Sequence, residues 1–289
     1  IAMDAPPEKE TLEPFIDVTQ RLLNVSVNVP KIYQKSLEQG FLLLGDLGDI
    51  PYLPSLSSSD KVDSLYLDAF KALLMIQKAD TADLPLYDEA LLQQEMDLMP
   101  EWFLSNHLGI SLTETEEVEL QLVFDQLTEM ALQQPQVFVH RDYHSRNLMV
   151  TAEKNPGVID YQDAVLGPVC YDLVSLLRDC YIAWPEQQVR QWVSTFQAMA
   201  TNQGIIPKIS EATFQKWFDW IGLQRHIKVL GIFARLNHRD GKAHYLEDLP
   251  LTLSYVLSVA ANYPEMKPLL DIFNKYNISQ QVGTVEISK

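Results

Sequence analysis

The stretch VFVHRDYHSRNLMV, residues 137–150, and the segment GVIDYQD, residues 157–163, decide the fold of this 289-residue chain. Short apolar runs between polar turns predict strands. The loop between the first two predicted strands carries a dense group of polar side chains, namely His140, Arg141, Asp142, His144, Arg146 and Asn147. The third apolar run ends at Asp160. So many polar groups held between strands indicate a functional loop.

The residue types in this loop are suited to phosphoryl transfer. A loop carboxylate such as Asp142 can accept the proton of a substrate hydroxyl. Asn147 and Asp160 offer oxygen ligands of the kind that Mg²⁺ takes from proteins, with its other positions left to phosphates and water. A hydroxyl-activating carboxylate beside a Mg²⁺ site is typical of kinases. We therefore expect Mg²⁺ here, together with a phosphate-bearing cosubstrate.

Composition disfavours several other classes of protein. The net charge of −17 and the pI of about 4.6 argue against nucleic acid and anionic membranes as partners. The chain has no run of 18 apolar residues and no signal peptide at its start, so we expect a cytoplasmic protein. Cys170 and Cys180 form neither a disulfide framework nor a C-x-x-C pair, and we expect both to be buried thiols.

Periodicity along the chain predicts an α+β fold with two lobes. A strand at 1–5 and a β-hairpin at 31–44 indicate a small β-containing lobe over residues 1–48, ending near Gly45–Gly48. Residues 49–289 form a mainly helical lobe around the strands of the polar loop. Apolar residues at helical spacing predict helices at 8–23, 60–77, 88–107, 113–134, 171–182, 186–202, 210–239, 248–261 and 264–276. Asp60 is the predicted cap of the second of these helices.

The polar loop also carries a family resemblance. HRDYHSRN, residues 140–147, has the form H-R-D-x-x-x-x-N, and IDYQ, residues 159–162, stands where protein-kinase-like enzymes carry their metal-binding Asp. With VIDYQDA, residues 158–164, and GPVCYDLVSLLRD, residues 167–179, these strings resemble the aminoglycoside phosphotransferase-like family of small-molecule kinases. The resemblance implies a protein-kinase-like fold and ATP as phosphoryl donor.

The resemblance implies a role for each residue that matches the family's motifs. Asp142 would be the catalytic base, and Asn147 and Asp160 would bind Mg²⁺. Residues that support the loop would be His140, Arg141 and Asp172. Adenine would meet the backbone of a hinge strand at Leu44, Gly45, Asp46 and Leu47.

Four further strings look like the bacterial anomeric sugar kinases. They are MDAPPEKE (3–10), GFLLLGDLG (40–48), PEWFLSNHLG (100–109) and GLQRHIKVLGIFAR (222–235). Those enzymes phosphorylate N-acetylmuramate and N-acetylglucosamine at the anomeric hydroxyl during cell-wall recycling. This likeness implies the same sugar substrates here.

One feature departs from the kinase pattern. Such enzymes place a Lys on a strand of the small lobe, to pair with the ATP phosphates and a helix Glu. The strand at residues 1–5 offers Asp4 and no Lys, so Lys9 is the substitute candidate, with Glu10 or Glu13 as the helix Glu. Because the chain opens with Ile1 rather than Met, we expect the sequence to begin inside a longer protein.

Substrate contacts are predicted at two places. In the polar loop, Arg146 can contact phosphate or the acid group of a sugar. After the third strand, Gln162 and Asp163 can face the substrate or support the Mg²⁺ ligands from behind. Elsewhere the candidates are Glu95, Trp102, Arg225 and His226, because Trp stacks on sugar rings and a local basic cluster attracts an anionic sugar.

Other functions stay open at this point. Within the family, the acceptor can be an aminoglycoside, choline or homoserine. A kinase-shaped binding module without turnover fits the missing Lys. A metallohydrolase fits H140-x-D142-x-H144, which can present alternate side chains to one metal. The choice between ATP and GTP, and the oligomeric state, are not determined by the sequence.

Overall fold

A computed structural model describes residues 1–8, 11–57 and 60–287. In chain order the strands are β1 (Ala2–Asp4), β2 (Ile32–Ser36), β3 (Phe41–Leu44), β4 (Gln136–Val139), β5 (Leu148–Met149), β6 (Gly157–Val158) and β7 (Val165–Pro168). The helices are α1 (Glu13–Asn24), α2 (Tyr52–Ser55), α3 (Val62–Ile76), α4 (Glu89–Met96), α5 (Glu114–Leu132), α6 (Tyr171–Leu177), α7 (Glu186–Asn202), α8 (Glu211–Asp240), α9 (Leu249–Ala260), α10 (Lys267–Lys275) and α11 (Ile278–Val282). A π-helix covers Met99–His107, and 3₁₀-helices cover Ala243–Asp248 and Pro264–Met266.

These elements confirm the predicted α+β class, while several helix ends differ from the prediction. α3 begins at Val62 with Lys61 in the cap position, so the predicted cap at Asp60 was wrong. The helix predicted for 88–107 is two elements, because α4 ends before Pro100 and the chain continues as the π-helix. Proline lacks a backbone N–H and cannot continue an α-helical hydrogen-bond ladder.

The chain divides into two compact units. The first contains residues 1–86, 136–176 and 199–207, and the second contains residues 87–135, 177–198 and 208–289. The predicted lobe boundary at residue 48 stays a prediction.

The first unit holds the strands. β1, β3 and β2 form an antiparallel sheet in that order, β4 pairs with β7, and β5 pairs with β6. Along β3, Leu42 and Leu44 are buried while Phe41 and Leu43 are exposed, as the two-residue period of a strand requires. Pairing of β5 with β6 sets residues 147 and 160, at the ends of these strands, side by side.

The second unit is helical, and α8 is its longest helix. The Ser210 hydroxyl accepts a hydrogen bond from the Thr213 N–H at 3.0 Å, which caps the start of α8. Gly241 ends the helix with φ of +69°, a left-handed conformation that glycine adopts without strain. The core around α8 includes Met96, Phe103, Leu104, Phe124, Leu127, Leu223, Ile227, Leu230, Leu253 and Phe273.

Close packing at Gly231 fixes how α8 meets the segment between α4 and the π-helix. A Cβ atom at Gly231 would lie 2.3 Å from the carbonyl carbon of Leu98 and 2.5 Å from its oxygen. Only a residue without a side chain allows this approach, so Gly231 aligns α8 with the π-helix.

Two smaller observations bear on the sequence analysis. Among the described residues, no helix is both long and apolar enough to span a bilayer. Cys170 and Cys180 are both buried thiols that are not joined in a disulfide, as predicted.

Gly231→Ala should lower the free energy of unfolding by about 1–3 kcal/mol, because the new methyl group would overlap the Leu98 backbone. Helix propensity alone would give the opposite sign, a gain of about 1 kcal/mol. Urea unfolding of the variant measures the difference. Ala212→Gly, at an exposed position of α8, is the control and should lose about 1 kcal/mol through propensity alone. A Gly231→Ala variant more stable than the wild type would show that the close approach to Leu98 does not require glycine at this position.

Candidate active site

The buried carboxylate of Asp172 shapes the polar loop between β4 and β5. Asp172 lies in the first turn of α6 and is 1% exposed. Its two oxygens accept hydrogen bonds from consecutive backbone groups, the N–H of His140 at 2.7 Å and the N–H of Arg141 at 3.0 Å. Hydrogen bonds to a charged acceptor are about twice as strong as neutral ones. Asp172 therefore fixes the backbone immediately before Asp142.

Near these hydrogen bonds, two residues have backbone conformations that residues other than glycine rarely adopt. Arg141 has φ of +75° and Asp160 has φ of +65°, both in the left-handed region. A residue other than glycine in that region costs of order 1–3 kcal/mol unless its surroundings hold it there. Strain of this kind clusters at functional sites, and here it sits beside Asp142 and at the predicted metal ligand.

His140 is fully buried, and its ring bonds define its protonation state. Nε2 donates to the carbonyl oxygen of Ile159 at 3.1 Å, so Nδ1 is the acceptor for the N–H of Asp142 at 3.3 Å. Burial lowers the pKa of His140 to about 4, although Asp142 and Asp160 act in the opposite direction. The neutral ring thus joins the loop to the strand that precedes Asp160.

Asn147 connects Asp142 to Asp160. Its Nδ2 donates to the backbone oxygen of Asp142 at 3.0 Å and to Oδ2 of Asp160 at 3.2 Å. The backbone adds a second connection, since the Ile159 N–H donates to the Asn147 oxygen at 3.1 Å. The three residues predicted to act together are therefore brought together. Asp142 and Asp160 are exposed, as groups that meet a ligand must be.

The oxygen groups of Asn147 and Asp160 fit Mg²⁺. Because the Asn147 amide nitrogen donates to Asp142 and Asp160, its carbonyl oxygen is directed away from these two bonds and is available to a cation. Mg²⁺ takes one or two protein oxygens and completes its shell with phosphates and water. The described residues contain no group of three or more His, Cys, Asp or Glu side chains placed to hold a metal ion.

Sequence analysis missed Tyr161 and Thr19, which hold the turn at Asp160 from the other side. The ring of Tyr161 stacks on Phe15 of α1 with centroids 5.1 Å apart, and its hydroxyl lies 2.8 Å from Oγ1 of Thr19. Gln162 donates from Nε2 to Oδ1 of Asp160 at 3.1 Å. The helical stripe of α1 signalled a buried face, but no sequence pattern signalled Tyr161 as its partner.

Two backbone N–H groups of the predicted hinge already donate hydrogen bonds to other residues of the chain. The Leu44 N–H donates to the Ile1 oxygen and the Gly45 N–H donates to the Lys31 oxygen, each at 2.8 Å. A nucleotide that reached this segment would therefore meet Asp46 and Leu47. Leu47 packs closely on β6, where a Cβ at Gly157 would lie 3.0 Å from it.

Other candidates in the first unit lie at its surface. Arg146 and Asp163 are exposed, and Gln162 is partly buried against Asp160. Glu13 is exposed at the start of α1. Lys9 and Glu10, the candidates for the missing ion pair, lie outside the described residues.

Candidates in the second unit are mostly buried. Arg225 donates to the sulfur of Cys180 at 3.6 Å, and Nε2 of His226 donates to the Arg178 oxygen at 2.9 Å. Glu95 is buried and forms an ion pair with Lys228 at 2.7 Å. Trp102 is partly buried on the π-helix. Their contact with a substrate stays a prediction.

The ring bonds of His140 count against the metallohydrolase. One nitrogen is committed to the Ile159 oxygen and the other to the Asp142 N–H, so neither has a lone pair to offer a metal. The alternation of His140, Asp142 and His144 therefore does not present a set of metal ligands.

Comparison with known proteins matches this chain to phosphotransferases. Residues 1–204 match a phosphotransferase enzyme family, APH. The N-acetylmuramate/N-acetylglucosamine kinase of Pseudomonas putida is 44% identical over 270 residues, which cover 93% of this chain and 79% of the relative. The kinase of the same name from Pseudomonas aeruginosa is 45% identical with the same coverage.

A solved structure shows the same fold. The GDP complex of aminoglycoside 2'-phosphotransferase-IIIa has a TM-score of 0.59 at 17% identity, over 87% of this chain and 82% of that one. The likeness confirms the predicted protein-kinase-like fold.

The buried neutral state of His140 predicts a dependence of stability on pH. Between pH 6.5 and pH 4 the unfolded chain protonates this histidine and the folded chain does not, so stability falls as pH falls below 6.5. Lowering the pH from 7.5 to 5.5 should lower the free energy of unfolding by about 1.4 kcal/mol through His140 alone. His140→Asn should remove that part of the loss, measured by urea unfolding at both values. Ser145→Ala, a buried change in the same loop without a titrating group, should keep the wild-type dependence. An unchanged dependence in His140→Asn would mean that folded His140 titrates normally.

Proposed function

Since this chain belongs to the APH phosphotransferase enzyme family, we propose that it transfers the γ-phosphoryl group of ATP to the anomeric hydroxyl of N-acetylmuramate or N-acetylglucosamine. The observation that carries the proposal is the connection of Asp142, Asn147 and Asp160 through one amide, with bonds of 3.0 and 3.2 Å. A base and a cation site so close together suit phosphoryl transfer. The individual roles in the reaction belong to these three residues and to their neighbours.

Asp142 accepts the proton of the attacking hydroxyl. Its carboxylate is exposed, while its backbone is held by the ring of His140 and the side chain of Asn147. A base fixed in this way needs no reorganisation when the hydroxyl arrives, and such a base contributes typically 10²–10⁴-fold to the rate.

Asn147 and Asp160 would hold Mg²⁺ through the Asn147 carbonyl oxygen and the Asp160 carboxylate. When bound, the ion offsets the negative charge of the phosphates. Gln162 orients the Asp160 carboxylate through Oδ1, and Tyr161 anchors the same turn on α1.

Two further groups of residues complete the proposal. The backbone of Asp46 and Leu47 meets the adenine edge of ATP, because Leu44 and Gly45 are bonded to their own chain. Arg146 and Asp163, exposed on the first unit, face the sugar or the phosphates.

The acetamido sugars follow from the relatives, which carry them in their names. An ADP-release assay with Mg-ATP tests the acceptor, using N-acetylmuramate, N-acetylglucosamine, glucose, choline, homoserine and kanamycin, with phosphorus NMR of the product. We expect turnover with the two amino sugars and an anomeric phosphate. Turnover with kanamycin, choline or homoserine alone would support the kinase activity but contradict the proposal that the acceptor is an amino sugar. Nucleotide binding without turnover of any acceptor would favour a binding module.

The roles of the two carboxylates are separable by mutation. Asp142→Asn should lower kcat by roughly 10²–10⁴-fold and leave the affinity for Mg-ATP unchanged, because the base does not bind nucleotide. Asp160→Asn should weaken Mg-ATP binding itself, because it removes a cation ligand. Titration calorimetry and steady-state kinetics measure the two effects. Glu153→Gln, at an exposed loop carboxylate of the same unit, is the control and should match the wild type. The reverse pattern, with nucleotide affinity lost in Asp142→Asn alone, would exchange the roles.

A further inference from the structure

Two histidines from distant parts of the chain meet at the surface of the helical unit. His107 is the last residue of the π-helix, and His238 lies in the last turn of α8. Nδ1 of His107 lies 3.2 Å from Nε2 of His238, although 131 residues separate the two in the chain. Both belong to the second compact unit. We call these two residues the histidine pair.

Neighbouring rings hold the histidine pair in position. The ring of His107 stacks on that of Phe103, four residues earlier in the π-helix, with centroids 6.3 Å apart and planes at 25°. The ring of His238 meets the ring of His107 edge-on, with centroids 5.4 Å apart and planes at 63°. Side chains held in this way lose less conformational entropy when a ligand binds. His238 is exposed and His107 is partly exposed, so a small ion can reach both rings.

The separation of the two ring nitrogens is close to the separation that a tetrahedral metal ion requires. Zinc binds histidine nitrogens at about 2.0–2.1 Å, which places two ligands of one tetrahedral ion about 3.3 Å apart. The nitrogens of the histidine pair are 3.2 Å apart, and one ring donates a hydrogen bond to the other. When an ion bridges the rings, that proton moves to the other nitrogen of the same ring. Both rings then stay neutral and offer a lone pair each.

The helix ends around the histidine pair also favour a cation. Carbonyl groups in the last turn of a helix have no partner within the helix and carry partial negative charge. His107 and His238 both lie in the last turns of their helices, so two such ends converge at the pair. A positive ion bound between the rings is therefore stabilised by both helix ends.

Basic side chains near the histidine pair decide which kind of cation is suited to it. Arg235, Arg239 and Lys242 are close to His238 in sequence. The carboxylate of Asp240 accepts hydrogen bonds of 2.7 and 2.9 Å from Arg239 and also attracts the other two. One negative charge among three positive ones does not suit an ion such as Mg²⁺, which prefers oxygen ligands. An ion that forms strong bonds to imidazole nitrogen is less affected.

We propose that His107 and His238 bind one divalent transition-metal ion of the zinc type through Nδ1 and Nε2, with water in the remaining positions. Among the described residues, no third His, Cys, Asp or Glu is placed to join them. The ion ties the end of the π-helix to the end of α8 and so stabilises the helical unit. The inference does not depend on the proposed function.

Zinc titration by isothermal calorimetry tests the site, on protein whose affinity tag has been removed and with Mg²⁺ in large excess. At about pH 8 imidazole is neutral and competes little with protons. We expect one zinc ion per chain. His107→Gln and His238→Gln should each weaken binding by at least roughly tenfold, since changes outside the ligand shell alone cost roughly 10–100-fold.

Two comparisons separate a shared ion from independent sites. The double variant His107→Gln/His238→Gln should bind zinc no more weakly than either single variant, because each single change already leaves one imidazole. His244→Gln removes an exposed histidine of the same unit and should keep the wild-type affinity. Circular dichroism confirms that each variant is folded, and the exposed His238 position serves if His107→Gln does not fold.

Thermal unfolding gives a second measurement of the same site. Free zinc at 100 times its Kd should raise the Tm of the wild type and of His244→Gln by about 5 °C. The two variants of the histidine pair should show no such shift at that zinc concentration.

Three results would overturn the assignment. The first is a zinc affinity in folded His107→Gln and His238→Gln equal to that of the wild type. The second is a set of losses that add in the double variant, because they would indicate two single-histidine sites. The third is displacement of zinc by Mg²⁺, which would indicate a site of oxygen ligands. None of these results bears on the proposed kinase activity.

Discussion

One buried carboxylate sets the geometry on which the candidate active site depends. Asp172 accepts hydrogen bonds from two consecutive backbone N–H groups, those of His140 and Arg141. A pair of parallel N–H groups directed at one carboxylate is possible only if the chain turns sharply, and Arg141 makes that turn in the left-handed region. The next residue is Asp142. The position of Asp142, the proposed catalytic base, is thus set by the buried carboxylate of Asp172.

A series of hydrogen bonds connects the remaining parts of the site to this turn. His140, neutral because it is buried, reaches from the turn to Ile159, and Asn147 reaches from Asp142 to Asp160. Tyr161 then joins the turn of Asp160, the proposed cation ligand, to α1. Each bond is modest in energy, but together they hold the proposed base and cation ligands within one rigid network. Enzymes that transfer phosphoryl groups act mainly through such positioning, because the protein contributes little covalent chemistry.

Much of this could be predicted from the sequence, and the reasons differ from residue to residue. Asp142, Asn147 and Asp160 lie at fixed intervals around short strands, so local spacing alone indicated that they converge. Helix ends depended on proline and capping geometry, and the π-helix after α4 has no clear signature in periodicity. Tyr161 and Thr19 act through a contact between residues far apart in the chain. Neither periodicity nor motif spacing contains that information, whereas burial and hydrogen bonding in the folded chain reveal it.

The turnover number of Asp172→Asn, measured at saturating ATP and N-acetylglucosamine, tests the central claim most directly. Asparagine has nearly the same size as aspartate. Its amide nitrogen, however, would face a backbone N–H that now donates a hydrogen bond to a carboxylate oxygen, so two donors would meet and that bond would be lost. The account predicts a folded variant whose kcat falls by roughly 10²-fold, the effect expected when a catalytic group is displaced by about 1 Å. A folded variant with the wild-type kcat would contradict it, because Asp142 would then hold its position without Asp172.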